Sequence, residues 1–96
     1  MAAPAQRSVS IAIHAPLRRE DLPGLIARTC ALLANGGSGE LRCEVGGIFA
    51  DGVAVDALAR LALAARRSNC SVRLYGASPQ LRALVAFAGL EDVLRS

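Results

Sequence analysis

Short runs rich in Val, Ile and Leu alternate along this chain with longer segments in which Leu and Ala recur at helical spacing. The first run places Val9, Ile11 and Ile13 on one face, which is typical of a strand with one buried face. Similar runs follow at residues 41–45 and 71–76. Strands that alternate with helical crossovers form parallel sheets. The sequence therefore predicts an α/β fold, with a small, mainly parallel sheet of three to four strands and helices packed mainly on one side.

Three helical segments separate and follow these strands. The first, residues 18–35, carries a proline in its first turn that places its hydrogen-bonded start close to Leu22. The second spans residues 57–69. The third opens at Ser78, a suitable N-cap that is followed by proline, and stops at Gly89. A final short turn is predicted for the residues that follow.

Composition indicates one small domain with enough apolar residues for a real core. The 96 residues are 53% hydrophobic but only 3% aromatic, so the core must be aliphatic. Residues 1–7 are predicted to be a flexible lead-in, residues 8–96 a single domain, and the glycine-rich stretch 36–39 a loop. No apolar run reaches transmembrane length and residues 1–6 lack a signal-peptide core, which predicts a cytoplasmic protein without direct membrane insertion.

The charged residues do not indicate nucleic-acid binding. The formal net charge is +3 and every basic residue is arginine, but the adjacent arginine pairs have no aromatic residues between them to stack on bases. Solvated helix faces explain these arginines better. We therefore expect no nucleic-acid partner.

Neither the cysteines nor the single histidine suggest a cofactor. The three cysteines form no CxxC pair, so no disulfide framework or metal site is expected. Cys30 and Cys43 are predicted to be small core residues, and Cys70 to lie at a turn before the third strand. His14 is predicted to end the first strand, without a second metal ligand in a recognisable spacing. We expect no metal or cofactor.

The candidate functional site is the segment 51–57, which leads into the second helix. Asp56 is predicted to cap a helix beginning at Ala57, and Arg60 follows four residues later, on the same face, where it can pair with Asp56. A loop tip next to a helix N-terminus at one end of the sheet favours binding of a partner. The predicted partner-binding residues are Asp51, Gly52, Val53, Ala54, Val55, Asp56, Ala57 and Arg60.

A catalytic reading of this segment is the weakest one. Asp51 and Asp56 are the only pair of carboxylates close to it, and acid–base catalysis also requires a cleft and substrate-orienting groups. Structural caps explain both residues more simply. We therefore expect a non-enzymatic function.

Two segments resemble the STAS domain, the family named for sulfate transporters and anti-sigma-factor antagonists. Residues 53–61 are similar to the family's hydrophobic run, aspartate and following helix. Residues 72–94 are similar to its closing strand, Ser-Pro-initiated helix and Gly-Leu-x-Asp-Val-Leu ending. Weaker similarity covers residues 13–17 and 44–48. The resemblance implies a small, stand-alone STAS-like fold.

The resemblance implies a bacterial regulator of transcription that acts by docking on a protein partner, an anti-sigma factor or serine-kinase-like regulator. In the family, the residue after the aspartate is commonly a serine or threonine that the partner kinase phosphorylates. Ala57 stands at that position here, so the resemblance implies a non-phosphorylatable member. The amino-terminal strand of most members is also missing, which leaves a sheet edge to be covered by residues 2–7 or by a second subunit in a homodimer.

Two further functions stay open. The chain also fits the cytoplasmic STAS subunit of a membrane transporter of the phospholipid-trafficking ABC type, where the same face would contact the transporter ATPase. Direct sensing of a nucleotide or lipid is weakly favoured by Gly46, Gly47 and the helix N-terminus, although no phosphate-binding glycine pattern surrounds them.

Overall fold

The computed structural model describes residues 7–34 and 39–95, and over these residues the chain forms one parallel sheet with three helices. The strands are β1 (Arg7–His14), β2 (Gly39–Gly47), β3 (Cys70–Tyr75) and the two-residue β4 (Leu94–Arg95). The helices are α1 (Leu22–Leu33), preceded by a 3-10 turn at Arg19–Asp21, α2 (Gly52–Arg67) and α3 (Pro79–Phe87). The strand order is β1-β2-β3-β4, and all neighbours are parallel. The predicted α/β fold with a parallel sheet is confirmed.

The sheet has one buried and one exposed face. Leu41, Cys43 and Val45 of β2 are buried, whereas Arg42 and Glu44 between them are exposed. The order of the strands in the sheet is their order along the chain, so every connection advances in the same direction. Parallel strands are connected by right-handed crossovers, and crossovers that all advance in one direction place their helices on the same face of the sheet. The helices therefore cover the apolar face, and the described residues of the opposite face meet solvent.

Small aliphatic side chains from the sheet and all three helices fill the core. Its largest fully buried members are Leu22, Leu41, Leu58, Leu61 and Leu81. Each such leucine contributes roughly 1.5 to 3 kcal/mol through removal from water. The predicted aliphatic core supplies the main stabilising term.

Both ends of α3 follow the sequence prediction. The Ser78 hydroxyl oxygen accepts a hydrogen bond from the Leu81 N–H at 3.1 Å, and proline occupies the first helical position. After the helix, Gly89 has a φ of 75°, and the Leu90 N–H donates to the Val85 carbonyl at 3.0 Å. This is the glycine-based stop that satisfies the last carbonyl groups of a helix.

The Gly46-Gly47 pair belongs to β2, which therefore extends beyond the predicted run at residues 41–45. Gly47 lies opposite His14 in the sheet register. Gly76, directly after β3, has a φ of 76°, and a Cβ there would lie 3.3 Å from the Gly46 Cα. Glycine is thus required at position 76 both by its backbone angle and by close approach to β2.

Other boundaries shift by a few residues. The helical part of the first segment begins at Leu22, as predicted. Arg7 is the first residue of β1 rather than part of the lead-in, and Gly39 already belongs to β2. The final turn runs into the short strand β4. The predictions for residues 1–6 and 35–38 lie outside the described residues.

Candidate functional site

Helix α2 begins one turn earlier than predicted, because Asp51 and not Asp56 is its N-cap. The Asp51 Oδ1 accepts a hydrogen bond from the Ala54 N–H at 2.9 Å, and its carbonyl accepts one from the Val55 N–H at 3.2 Å. The segment predicted as a loop is therefore the first turn of the helix. Val53 and Val55 have a low intrinsic helix propensity, but burial of Ala54 beneath this turn overrides that weak preference.

Asp56 lies in the second turn of α2 and forms two ion pairs. Its Oδ2 lies 3.0 Å from Nη1 of Arg19, and its Oδ1 lies 3.0 Å from Nε of Arg60. The predicted pairing of Asp56 with Arg60 is confirmed. Arg19 was not predicted, because it is 37 residues away in sequence and only the fold brings it to α2. Exposed pairs of this kind contribute at most about 1 kcal/mol each.

Burial divides the eight predicted partner-binding residues. Ala57 is fully buried and Ala54 is 1% exposed, so neither side chain is available to a partner. The more exposed members of the set are Asp51, Gly52, Val53, Val55, Asp56 and Arg60. Position 57 therefore belongs to the core, which corrects its prediction as part of a projecting loop tip.

Phe49 is the prominent residue that the sequence analysis did not select. Its side chain is 72% exposed, and its carbonyl accepts a hydrogen bond from the Asp51 N–H at 3.1 Å. The sequence did contain a signal for this residue, because Phe49 is one of few aromatic residues in the chain and it lies between a buried strand and a helix cap. We refer to Arg19, Phe49, Asp51, Gly52 and Asp56 together as the α2 edge surface.

A cleft of about 610 Å³ lies between the end of β1 and the start of α1. His14 is exposed and lines this cleft together with Glu20, Asp21 and Arg28. Across residues 7–34 and 39–95, no three or more His, Cys, Asp or Glu side chains are grouped so that they could hold a metal ion.

The exposed face of the sheet carries a polar network centred on Tyr75. Its hydroxyl accepts hydrogen bonds from Nε and Nη2 of Arg42, at 3.1 and 2.8 Å, and lies 3.5 Å from the Glu40 carboxylate. Hydrogen bonding to Tyr75 raises the pKa of Arg42. Arg73 also approaches Glu40, at 3.9 Å. Glu40 thus lies within ion-pair distance of both Arg42 and Arg73.

The cysteines occupy three different environments. Cys43 is fully buried, as predicted, and burial raises the pKa of its thiol to about 12. Cys30 is exposed on α1, which corrects its prediction as a core residue, and Cys70 is half-buried at the start of β3.

In the described part of the chain, no helix has the length and apolar character needed to span a membrane.

Comparison of the sequence with models of protein families gives no match, and comparison with curated proteins gives no significant match.

Proposed function

We propose that this chain is a non-catalytic protein-interaction module that regulates its partner by docking, in the manner of the anti-sigma-factor antagonists that the sequence resembles. The observation that carries this proposal is the 72% exposed side chain of Phe49, directly before the capped start of α2. Exposed aromatic side chains supply large contact areas with few rotatable bonds, and they are frequent energetic anchors of interfaces.

The α2 edge surface is the docking surface in this proposal. The N-cap hydrogen bond fixes Asp51, and the ion pair with Asp56 holds Arg19 across the start of α2. The Arg19 side chain is 68% exposed, and its hydrogen bond to Asp56 uses only Nη1. Its other guanidinium donors therefore suit a carboxylate on the partner.

Loss of the phosphorylation switch also belongs to the proposal, at a different residue from the predicted one. The family pattern places an aspartate directly before the helix and the phosphate acceptor directly after the aspartate. Because Asp51 caps α2, which begins at Gly52, we assign the acceptor position to Gly52 instead of Ala57 as part of this proposal. Glycine has no hydroxyl, so docking is constitutive in this chain, as it would be with the alanine at position 57.

Phe49→Ala tests the docking surface, with Phe87→Ala as the matched control. Phe87 is 91% exposed at the end of α3, so both substitutions remove the same exposed ring. The measurement is calorimetric titration against purified anti-sigma or serine-kinase-like regulators from the same organism. Loss of an anchor worth about 2 kcal/mol weakens binding about 30-fold, and we expect this for Phe49→Ala alone. Equal affinities for both variants would contradict the proposed surface.

Partner class is tested in the same titrations. A transporter ATPase is the other partner that the resemblance implies, and it is titrated in parallel. Binding to the ATPase, with no binding to any regulator, would replace the regulatory role by that of a transporter subunit.

Gly52→Ser tests the assignment of the lost acceptor. A Cβ built at position 52 would meet only the flexible Arg19 side chain, with Nη2 at 4.0 Å, so the backbone there accommodates a side chain. Incubation with the partner kinase and labelled ATP is expected to phosphorylate Gly52→Ser, but not the wild type. Ala57→Ser is the control, because the buried position 57 is closed to a kinase. Labelling of Ala57→Ser alone would restore the original assignment.

A further inference from the structure

Strand β1 is an outer strand of the sheet that residues 7–34 and 39–95 form, and most of its own sequence lacks the features that protect sheet edges. Among the described strands it pairs only with β2. Its residues between Arg7 and His14 include no charge and no proline. Natural outer strands are usually short, charged, interrupted by proline or covered, because their free N–H and C=O groups otherwise pair with another chain. This eight-residue strand therefore has the properties of one that takes a partner strand.

The burial pattern shows that the apolar face of the sheet is incompletely covered at β1. In the register, Val9 lies beside Leu41 and Ile11 beside Cys43. Leu41 and Cys43 are fully buried, whereas Val9 and Ile11 are only half-buried. Two β-branched side chains are thus left partly in water, and a strand added to β1 would complete their burial.

The cleft of about 610 Å³ supplies space beside the carboxyl end of this strand. Three consecutive residues of β1, Ala12, Ile13 and His14, line it, although successive side chains point to opposite faces of a sheet. The cleft therefore borders the strand itself at its carboxyl end. Gly24 of α1 also lines the cleft, and a Cβ built there would meet nothing within 4 Å.

We propose that β1 pairs antiparallel with β1 of a second copy of this chain, about a two-fold axis at Ile11. This register places Ile11 opposite Ile11 and Val9 opposite Ile13 on the helix-covered face. On the exposed face it places Ser10 opposite Ala12. Ser8 lies opposite His14 on that same face. Apolar residues thus meet apolar residues on the helix-covered face, and no like charges face each other.

The self-complementarity of the strand favours a second copy over an unrelated peptide. A two-fold axis at Ser10 would also keep the two faces separate, but it would leave Ile13 opposite Arg7. The Ile11 axis pairs all three β-branched residues of β1 with one another. The product is a continuous eight-stranded sheet with both helical layers on the same face.

Sedimentation velocity of the full chain with Ile11→Lys is the first test. Two lysines would meet on the axis, and lysine is a residue that natural outer strands use to prevent pairing. The wild type is expected to sediment as a dimer, and Ile11→Lys as a folded monomer with at least 100-fold weaker association. Ile26→Lys, which changes another half-buried isoleucine on α1, is expected to stay dimeric. A monomeric wild type, or equal dissociation of both variants, would overturn the proposal.

Disulfide trapping gives a second readout that does not depend on the stability of the lysine variant. Residues directly opposite in an antiparallel pair have Cα atoms about 4.5 to 5.5 Å apart, within disulfide range. In a background of Cys30→Ser and Cys70→Ser, Ile11→Cys is expected to oxidise to a covalent dimer at least tenfold faster than Ser10→Cys or Ala12→Cys. Fastest trapping at position 10, or no trapping at any of the three, would refute the Ile11 axis.

Discussion

Replacing Asp51 by alanine should destabilise the chain more than replacing Asp56, although the sequence alone suggested the reverse. The Asp51 carboxylate accepts the hydrogen bond from Ala54 at 2.9 Å, and loss of an N-cap costs about 0.5 to 2 kcal/mol. Because Ala54 is only 1% exposed, water has poor access to the released N–H. We therefore expect the upper half of that range, about 1 to 2 kcal/mol, measured by urea unfolding followed by circular dichroism.

The dependence of stability on salt distinguishes loss of the Asp51 N-cap from loss of the Asp56 ion pairs. Asp56→Asn weakens two exposed pairs that share one carboxylate, but it keeps an oxygen that can accept a hydrogen bond. Its cost should therefore stay near or below about 1 kcal/mol and shrink in 1 M NaCl, where the screening length is about 3 Å. The cost of Asp51→Ala should largely persist in salt. Asp51→Asn keeps an oxygen acceptor and should lose only a few tenths of a kcal/mol. The reasoning fails if Asp51→Asn is as unstable as Asp51→Ala, or if Asp56→Asn costs more than either.

Three further substitutions test the core and the backbone. Gly76→Ala should lower the free energy of unfolding in urea more than Gly89→Ala. Both glycines have a positive φ, but only the new Cβ at position 76 would lie 3.3 Å from Gly46. Equal losses for the two variants would contradict this. Ala57→Leu should lose about 1 to 3 kcal/mol through overpacking, whereas an unchanged midpoint would show that position 57 is not in the core. Burial raises the pKa of Cys43 from 9.0 to about 12, so the folded state binds the thiol proton more tightly than the unfolded state. The free energy of unfolding should therefore fall as the pH rises from 9 to 12, by up to about 1.4 kcal/mol per pH unit. Cys43→Ala should lack this part of the pH dependence, and parallel curves would refute it.

The fold was largely predictable because its signals are local. Alternating Val9, Ile11 and Ile13, the cap at Ser78 and the stop at Gly89 each act within a few residues, and the structure contains the corresponding elements. The parallel arrangement followed from the crossover helices. These features do not depend on contacts between distant parts of the chain, so a single sequence is sufficient to read them.

The candidate site was predictable only in part, because its geometry depends on tertiary contacts. Two aspartates precede and enter α2, and either is a suitable cap by local rules. Only packing of Ala54 and Ala57 into the core selects Asp51. The contact of Arg19 with Asp56 likewise required the fold, since no local pattern connects them.

The strand order has a consequence for synthesis of the chain on the ribosome. Each strand after the first lies beside the one made just before it, and the intervening helix packs on the same face. Every strand-helix-strand unit is therefore complete as soon as its last strand emerges, without waiting for more distant sequence. The nascent sheet gains its strands in order of translation, always at the newest edge, and no later strand among the described residues uses the outer edge of β1.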